Sequence, residues 1–149
     1  TELAAVPRLV GAVDTEGYDI AIGSRLARGA TVIGRPPHRE LISRAYSLTF
    51  RAMFLSGFKD AQCGFKALSR GAARALVPRI ASNHWFIDTE LLVIAEKRGF
   101  RIKEVPVAWK EDPDTRVKIM QTALEDLRGL ARLRLGGIPE VDPPLGLRE

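Results

Sequence analysis

Between residues 38 and 56 the apolar side chains Leu41, Ile42, Ala45, Leu48, Phe50, Ala52, Met53 and Leu55 recur at intervals of three and four. They leave a narrow polar stripe of Glu40, Ser43, Arg44, Ser47 and Arg51. This period predicts a helix that is apolar over more than half its circumference. Such a helix either packs into a core, the favoured reading, or lies in a lipid headgroup layer with arginines turned up to phosphates.

The remaining pattern alternates helix and strand. Residues 2–13 carry Leu3, Val6, Leu9 and Val10 on one helical stripe, and Tyr18, Ile20 and Ile22 then alternate with Asp19, Ala21 and Gly23 as a strand does. Gly29, Gly34, Pro36 and Pro37 mark a loop. Residues 64–68 read as a short strand and 70–76 as a helix stopped by Pro78. Residues 88–98 form another helix, with Leu91, Leu92 and Ala95 inward and Gly99 as its C-terminal cap. In 100–109 the apolar phase slips between Ile102 and Val105 and Pro106 lies inside, so a bulge or an edge strand is expected. Residues 115–135 close the pattern as an amphipathic helix, with Val117, Met120, Leu124, Leu127 and Leu130 inward and Arg116, Lys118, Arg128 and Arg132 outside. The result is an α/β fold with too few strands for a complete doubly wound sheet. One domain is expected over residues 1–135, followed by a flexible Gly- and Pro-rich tail at 136–149.

Composition narrows the function classes. The net charge of +5 is spread along the chain and favours an anionic partner, without choosing among phosphate, membrane surface and nucleic acid. The single cysteine, Cys63, excludes an intrachain disulfide framework, and the two histidines form no cluster with zinc-ligand spacing. A reducing, cytosolic setting is the default. No apolar run approaches the roughly 20 residues of a membrane span, so the chain is expected to be soluble or to lie on a membrane.

Four segments hold candidate chemistry. Gly23-Ser24-Arg25 ends a strand, where open α/β sheets place ligands; the alternative for Arg25 is a surface pair with a carboxylate. Arg39 and Ser43 lie one turn apart at a helix start, where guanidinium, hydroxyl and free backbone amides make a phosphate cradle. In Asp60-Ala61-Gln62-Cys63-Gly64-Phe65-Lys66 an acid, an amide and a thiol crowd a turn whose Gly64 admits close backbone approach. The plain reading there is a turn capped by Asp60 with Cys63 as a buried hydrophobe, and no base stands beside the thiol to make it a nucleophile. Trp85-Phe86-Ile87-Asp88-Thr89-Glu90 sets aromatics before an acidic helix start. Capping by Asp88 is the stronger reading, although a sugar site also uses rings and carboxylates.

In this order and at these separations the segments resemble the family 2 glycosyltransferases that make polyprenyl-phosphate sugars, the dolichyl-phosphate mannose and glucose synthases. The resemblance runs over residues 2–135. It is carried by Asp19-Ile20-Ala21-Ile22-Gly23-Ser24-Arg25, by 60–66, by 86–92 with Asp88 and Glu90, and by Glu104-Val105-Pro106-Val107 followed by Trp109. It implies the carboxy-terminal half of a GT-A fold, an incomplete mixed sheet flanked by helices, acting in transfer of a hexose with inversion from a nucleotide sugar to a polyprenyl phosphate. Arg25, Arg39 and Ser43 take the places of the acceptor-phosphate contacts. Asp60 and Asp88 take the catalytic places, orienting sugar hydroxyls or the acceptor, because an ionised phosphate monoester needs no strong base. Gln62 and Glu90 fall on the donor side, with Arg116 and Lys118 facing the leaving diphosphate.

The family's first half supplies the nucleotide-binding strands and an Asp-x-Asp motif for a divalent metal, and Asp112-Pro113-Asp114 has that spacing but reads as a turn. The complete enzyme is therefore expected to use Mg or Mn, while this chain alone holds no metal and does not complete the reaction. The expected partners are polyprenyl phosphate, nucleotide sugar and the cytoplasmic face of a membrane. Self-association through an exposed sheet edge is a further expectation. The alternative is a non-catalytic module of the same fold that binds anionic lipid or a partner. Nucleic acid is not expected, since basic residues do not interleave with exposed aromatics.

Overall fold

The computed structural model describes residues 3–111 and 119–142, with side chains in the last helix described from residue 121. After a 3-10 turn at Leu3–Ala5 the elements are α1 (Val6–Asp14), β1 (Ile20–Ser24), β2 (Thr31–Ile33), α2 (Pro37–Phe54), β3 (Lys66–Leu68), α3 (Arg70–Leu76), α4 (Ile87–Lys97), β4 (Ile102–Pro106), β5 (Ala108–Lys110) and α5 (Ile119–Gly136). They form a mixed α/β arrangement with helices on both sides of a small sheet.

All five residues of β1 are buried, because it is the central strand and both of its faces are covered. It pairs antiparallel with β3, Ile20 opposite Leu68, and parallel with β4, Ile20 opposite Ile102 through Ser24 opposite Pro106. Ile20 and Ile22 enter the larger core with Phe50, Leu76, Leu92 and Leu130, while Ala21 turns to a smaller core of Leu9, Ala12, Val105 and Val107. The two-residue period of the strand thus divides the molecule, with α1 packed on one face and α2 to α5 on the other. Gly23 suits this crowding: a Cβ there would lie 3.0 Å from Val107 Cγ1 and 3.3 Å from Cys63 Sγ, so both side chains would have to give by a few tenths of an ångström.

The expected bulge or edge strand over 100–109 resolves into two strands in two sheets. β4 is an edge strand, and Val107 joins it to β5, which pairs parallel with β2. The Val107 N–H donates to Ser24 O at 3.3 Å while its carbonyl accepts from Thr31 N at 3.1 Å, so one residue binds both sheets. Gly99 adopts φ +80 just beyond α4, where Phe100 N donates to Ala95 O at 2.9 Å, as the capping role requires. Ser69 Oγ caps α3 by accepting from Ala72 N at 3.1 Å.

Several expectations change. β2 occupies part of the expected loop. In α2, Phe50 and Phe54 turn inward and carry Ser47 with them, while Leu41 and Leu48, spaced by seven, stand exposed, as does Leu55 in a left-handed backbone just past the helix. The large rings take the core, Phe50 lying 5.2 Å from the Phe58 ring, and the leucines are left outside. α5 is rotated from its expected phase, burying Asp126, Leu130 and Leu133 while Leu124 and Leu127 stand half exposed. Its Gly129 meets the Phe86 ring, which a leucine stripe could not approach so closely. Residues 137–142 of the expected tail pack on the domain. Val141 is buried, Ile138 is partly buried, and Arg98 donates to Pro139 O at 2.8 Å and Ile138 O at 2.5 Å. Among the described residues, no helix is long and apolar enough to cross a membrane.

Candidate functional site

A cavity of about 460 Å³ opens where the end of β1, the first turns of α2, the start of α4, β5 and the flank of α5 meet. Its walls include Arg25, Arg39, Ser43, Gln62, Gly64 and Asp88, so residues singled out in separate segments are brought to one place. Arg35, Tyr46, Trp85, Trp109, Glu111 and Asp126 join them.

One wall is basic. Arg25 follows β1 directly, and Asp60, buried beneath it, accepts from its backbone N, Nε and Nη2, each at 2.8 Å. Burial alone would raise the Asp60 pKa, but these hydrogen bonds and the guanidinium charge outweigh it and hold the carboxylate below its usual range. The Arg25 guanidinium also lies 5.2 Å from the Trp109 ring centroid. The pairing anticipated as an alternative for Arg25 is thus present, as a part-buried bidentate contact that fixes where the guanidinium stands.

Arg35 and Arg39 flank Pro36 and Pro37 at the entry to α2. Glu111, one residue past β5, accepts from Arg39 Nη1 at 2.7 Å and from Trp109 Nε1 at 3.2 Å, and its Oε2 lies 3.5 Å from Arg35 Nε. Glu40 takes Arg35 Nη1 at 3.0 Å. Burial would raise the Glu111 pKa, yet hydrogen bonding from Arg39 and the charge of Arg35 lower it. Three guanidiniums therefore line one wall, held in place by Asp60, Glu40 and Glu111. Ser43 follows one turn on, while His38 is exposed and outside the cavity lining.

The other side is acidic and apolar. Asp88 lies in the first turn of α4 and makes no cap: Phe86 holds the cap position without a side-chain bond, and Asp88 pairs with Lys66 Nζ at 3.0 Å. Lys66 Nζ also donates to Cys63 O. Cys63 itself is buried and burial pushes its thiol pKa up, which makes it unreactive. Gln62 Nε2 donates to Asp126 Oδ2 at 2.5 Å, while Asp126 Oδ1 is buried with no hydrogen-bond partner among the described residues. Burial pushes the Asp126 carboxyl up to about 6, against the Gln62 bond that favours its ionised form. Tyr46 Oη and Thr89 Oγ1 are 2.9 Å apart and tie α2 to α4.

Glu90 is not on the cavity wall. Fully buried, it accepts from Ala81 N at 3.2 Å and Ser82 N at 2.9 Å and lies 2.9 Å from Arg132 Nη2, clamping the segment before α4 to α5. Arg116, Lys118 and the Asp112-Pro113-Asp114 turn lie outside the described residues. Sequence reasoning missed Arg35, Tyr46, Glu111 and Asp126. Arg35, four before Arg39, and Glu111, two after Trp109, had a spacing signal. Asp126 had none, since the leucine stripe placed it on the outer face.

The comparisons with known proteins point one way. No family model matches the chain. It is 43% identical over 124 residues to "Glycosyltransferase AglD" of Haloferax volcanii, covering 83% of this chain and 20% of that protein. It is 41% identical over 101 residues to "Dolichyl-phosphate beta-glucosyltransferase ALG5C" of Trichomonas vaginalis, covering 67% of this chain and 30% of that protein. Against the dolichyl-phosphate beta-glucosyltransferase of Saccharomyces cerevisiae it is 26% identical over 118 residues, 78% of this chain and 35% of the relative. The chain is therefore a homologue of glycosyltransferases, dolichyl-phosphate beta-glucosyltransferases among them, and spans a fifth to about a third of the length of these three relatives.

Proposed function

We propose that this chain is the acceptor-binding part of a GT-A glycosyltransferase that moves a hexose from a nucleotide sugar to a polyprenyl phosphate. The observation that carries the reading is the wall of Arg25, Arg35 and Arg39 with Ser43, gathered from two elements around one cavity. Three fixed guanidiniums and a hydroxyl suit a phosphate monoester, whose ionised oxygen attacks the anomeric carbon without a strong base. Asp60, with both oxygens on Arg25, is a poor proton acceptor and serves as the positioning residue of that arginine. Asp88 and Gln62 border the space where the transferred sugar would lie, and Arg116 and Lys118 would face the leaving diphosphate.

The complete enzyme would use a divalent metal. The described residues bring no three metal-binding side chains together, and Asp60, Asp88 and Glu111 are each engaged by a cation, so no step is assigned through a metal held by them.

We place the protein at the cytoplasmic membrane face, with exposed Leu41 and Leu48 of α2, Leu55 at its end and the basic Arg44 against lipid. Those leucines also favour the second reading, a module that binds anionic lipid without catalysis. Self-association would run through the edge strands β3 or β4. Both tryptophans of the chain, Trp85 and Trp109, line the cavity, so their fluorescence reports binding there. Farnesyl phosphate is expected to change that fluorescence, with Arg39→Ala weakening its binding by about tenfold or more, the scale of one lost charged hydrogen bond. Equal affinity of wild type and Arg39→Ala would sink the phosphate assignment. Phosphatidylglycerol vesicles that bind wild type but not an Arg39→Ala, Arg44→Ala variant, with no response to farnesyl phosphate, would favour the lipid module.

A further inference from the structure

The mechanism outlined above leaves Asp126 unused. It is 2% exposed, lies on the cavity wall, and has Oδ2 fixed by Gln62 while Oδ1 has no partner among the described residues. A buried acceptor without a donor is costly, so such an atom points to a ligand group that completes it. Four classes of ligand group can be weighed. A ligand guanidinium or ammonium would enter a cavity already lined by Arg25, Arg35 and Arg39, which disfavours it. A divalent ion needs several converging oxygens, and Asp88, the other carboxylate on this side, is taken by Lys66. An apolar group would leave Oδ1 as it is. A hydroxyl is neutral, supplies one hydrogen, and meets the geometry of one carboxylate whose other oxygen is occupied.

The neighbourhood suits a sugar. Trp85, Trp109, Gln62 and Asp88 line the same cavity, and Asp88 Oδ2 is left as a further acceptor when Oδ1 pairs with Lys66. We propose that Asp126, oriented by Gln62, reads a hydroxyl of the hexose whose phosphate rests on Arg25, Arg35 and Arg39, so that the cavity recognises a sugar phosphate at both ends. This rests on the phosphate reading above and adds to it a specificity-determining residue on α5. It also implies that the chain recognises the headgroup of the sugar-lipid product, in which sugar and phosphate are joined.

The test uses the whole chain and its tryptophan fluorescence, with β-glucose 1-phosphate and methyl phosphate as probes. Both carry a phosphate monoester and only the first carries hexose hydroxyls. Wild type is expected to bind glucose 1-phosphate about tenfold or more tightly than methyl phosphate. Asp126→Asn and Asp126→Ala are expected to bring the ratio of the two dissociation constants close to one, whereas Arg39→Ala weakens both probes and keeps the ratio. The pair of variants guards against an asparagine that donates in place of the carboxylate, and far-UV circular dichroism identifies any variant that fails to fold. A wild-type ratio near one, or a ratio that survives both Asp126 variants, overturns the role of Asp126 while leaving the arginine wall intact. Affinities for methyl phosphate that do not respond to Arg39→Ala overturn the phosphate reading, and the proposal with it.

Discussion

Replacing Gly129 by alanine asks how tightly α5 is held against the segment that carries Trp85 and Asp88. On an exposed helix the change would stabilise by about 1 kcal/mol, through helix propensity. Here the new Cβ would stand 2.4 Å from Phe86 Cδ1, 2.5 Å from Cε1 and 2.6 Å from Cγ. Phe86 is 3% exposed, so its ring has no solvent space into which to swing. Overpacking of this kind costs about 1–3 kcal/mol, and contact with three ring atoms at once puts the cost at the upper end. The net expectation is a loss of about 1–2 kcal/mol, opposite in sign to the exposed-helix result. In urea this lowers the unfolding midpoint by about 0.5–1 M at a slope near 2 kcal/mol/M, with the slope unchanged. Phe86→Leu removes ring atoms from the collision, so the double variant should recover about 1 kcal/mol relative to additivity. Asp126 lies one turn before Gly129, so the shift that relieves the clash should also weaken glucose 1-phosphate binding. A raised midpoint for Gly129→Ala, or strict additivity with Phe86→Leu, would refute the packing on which this reasoning depends.

Other substitutions separate the clamps from the cavity. Glu90→Ala leaves two backbone N–H groups and Arg132 without their acceptor and should cost about 2–4 kcal/mol, against about 1–2 kcal/mol for Glu90→Gln, both read by chemical denaturation. Because burial raises the Asp126 carboxyl to about 6, this group opposes folding when ionised. Its penalty is fully present above about pH 6 and disappears as pH falls toward the unfolded carboxyl value near 4. Asp126→Asn should accordingly raise the melting temperature at pH 8 and do little at pH 4.5; an equal shift at both would contradict the assignment. Arg25→Lys abolishes the bidentate contact on buried Asp60 and should destabilise by about 2–3 kcal/mol while weakening farnesyl phosphate binding. Asp60→Asn should remove the part of acid unfolding due to Asp60, whose depressed pKa gives stability that is lost as pH falls through the folded value.

Local signals carried much of the fold. α3 begins and ends where Pro78 and the apolar spacing place it, and Gly99 has the left-handed backbone that its position after α4 demands. What failed depends on distant partners. Thr31–Ile33 is three residues between glycines, and only its pairing with β5, far along the chain, makes it a strand. The phase of α5 was misread because Leu130 belongs to both possible stripes, and the Gly129 contact with Phe86 selects between them. Of the candidate residues, Arg25, Arg39, Ser43, Gln62 and Asp88 share one cavity, Arg25 just past β1, Arg39 and Ser43 in the first two turns of α2, Gln62 in the turn before β3 and Asp88 in the first turn of α4. Asp60 was picked out and a carboxylate partner for Arg25 was foreseen, but that the two are each other's partners, and that α5 contributes Asp126, was illegible, since neither pair shares a local spacing.

The seating of β1 has a consequence for how the polypeptide reaches this state. Its partner β4 begins at Ile102, and β2 likewise waits for β5. On the ribosome, Ile20–Ser24 can meet β3 first, but its parallel neighbour is absent until the chain has been made through residue 106. During that interval a five-residue strand destined to be wholly enclosed has one open side. Parallel pairing at such separation forms slowly, so a nascent chain stalled before residue 106 should be the stage at which this protein most needs a chaperone.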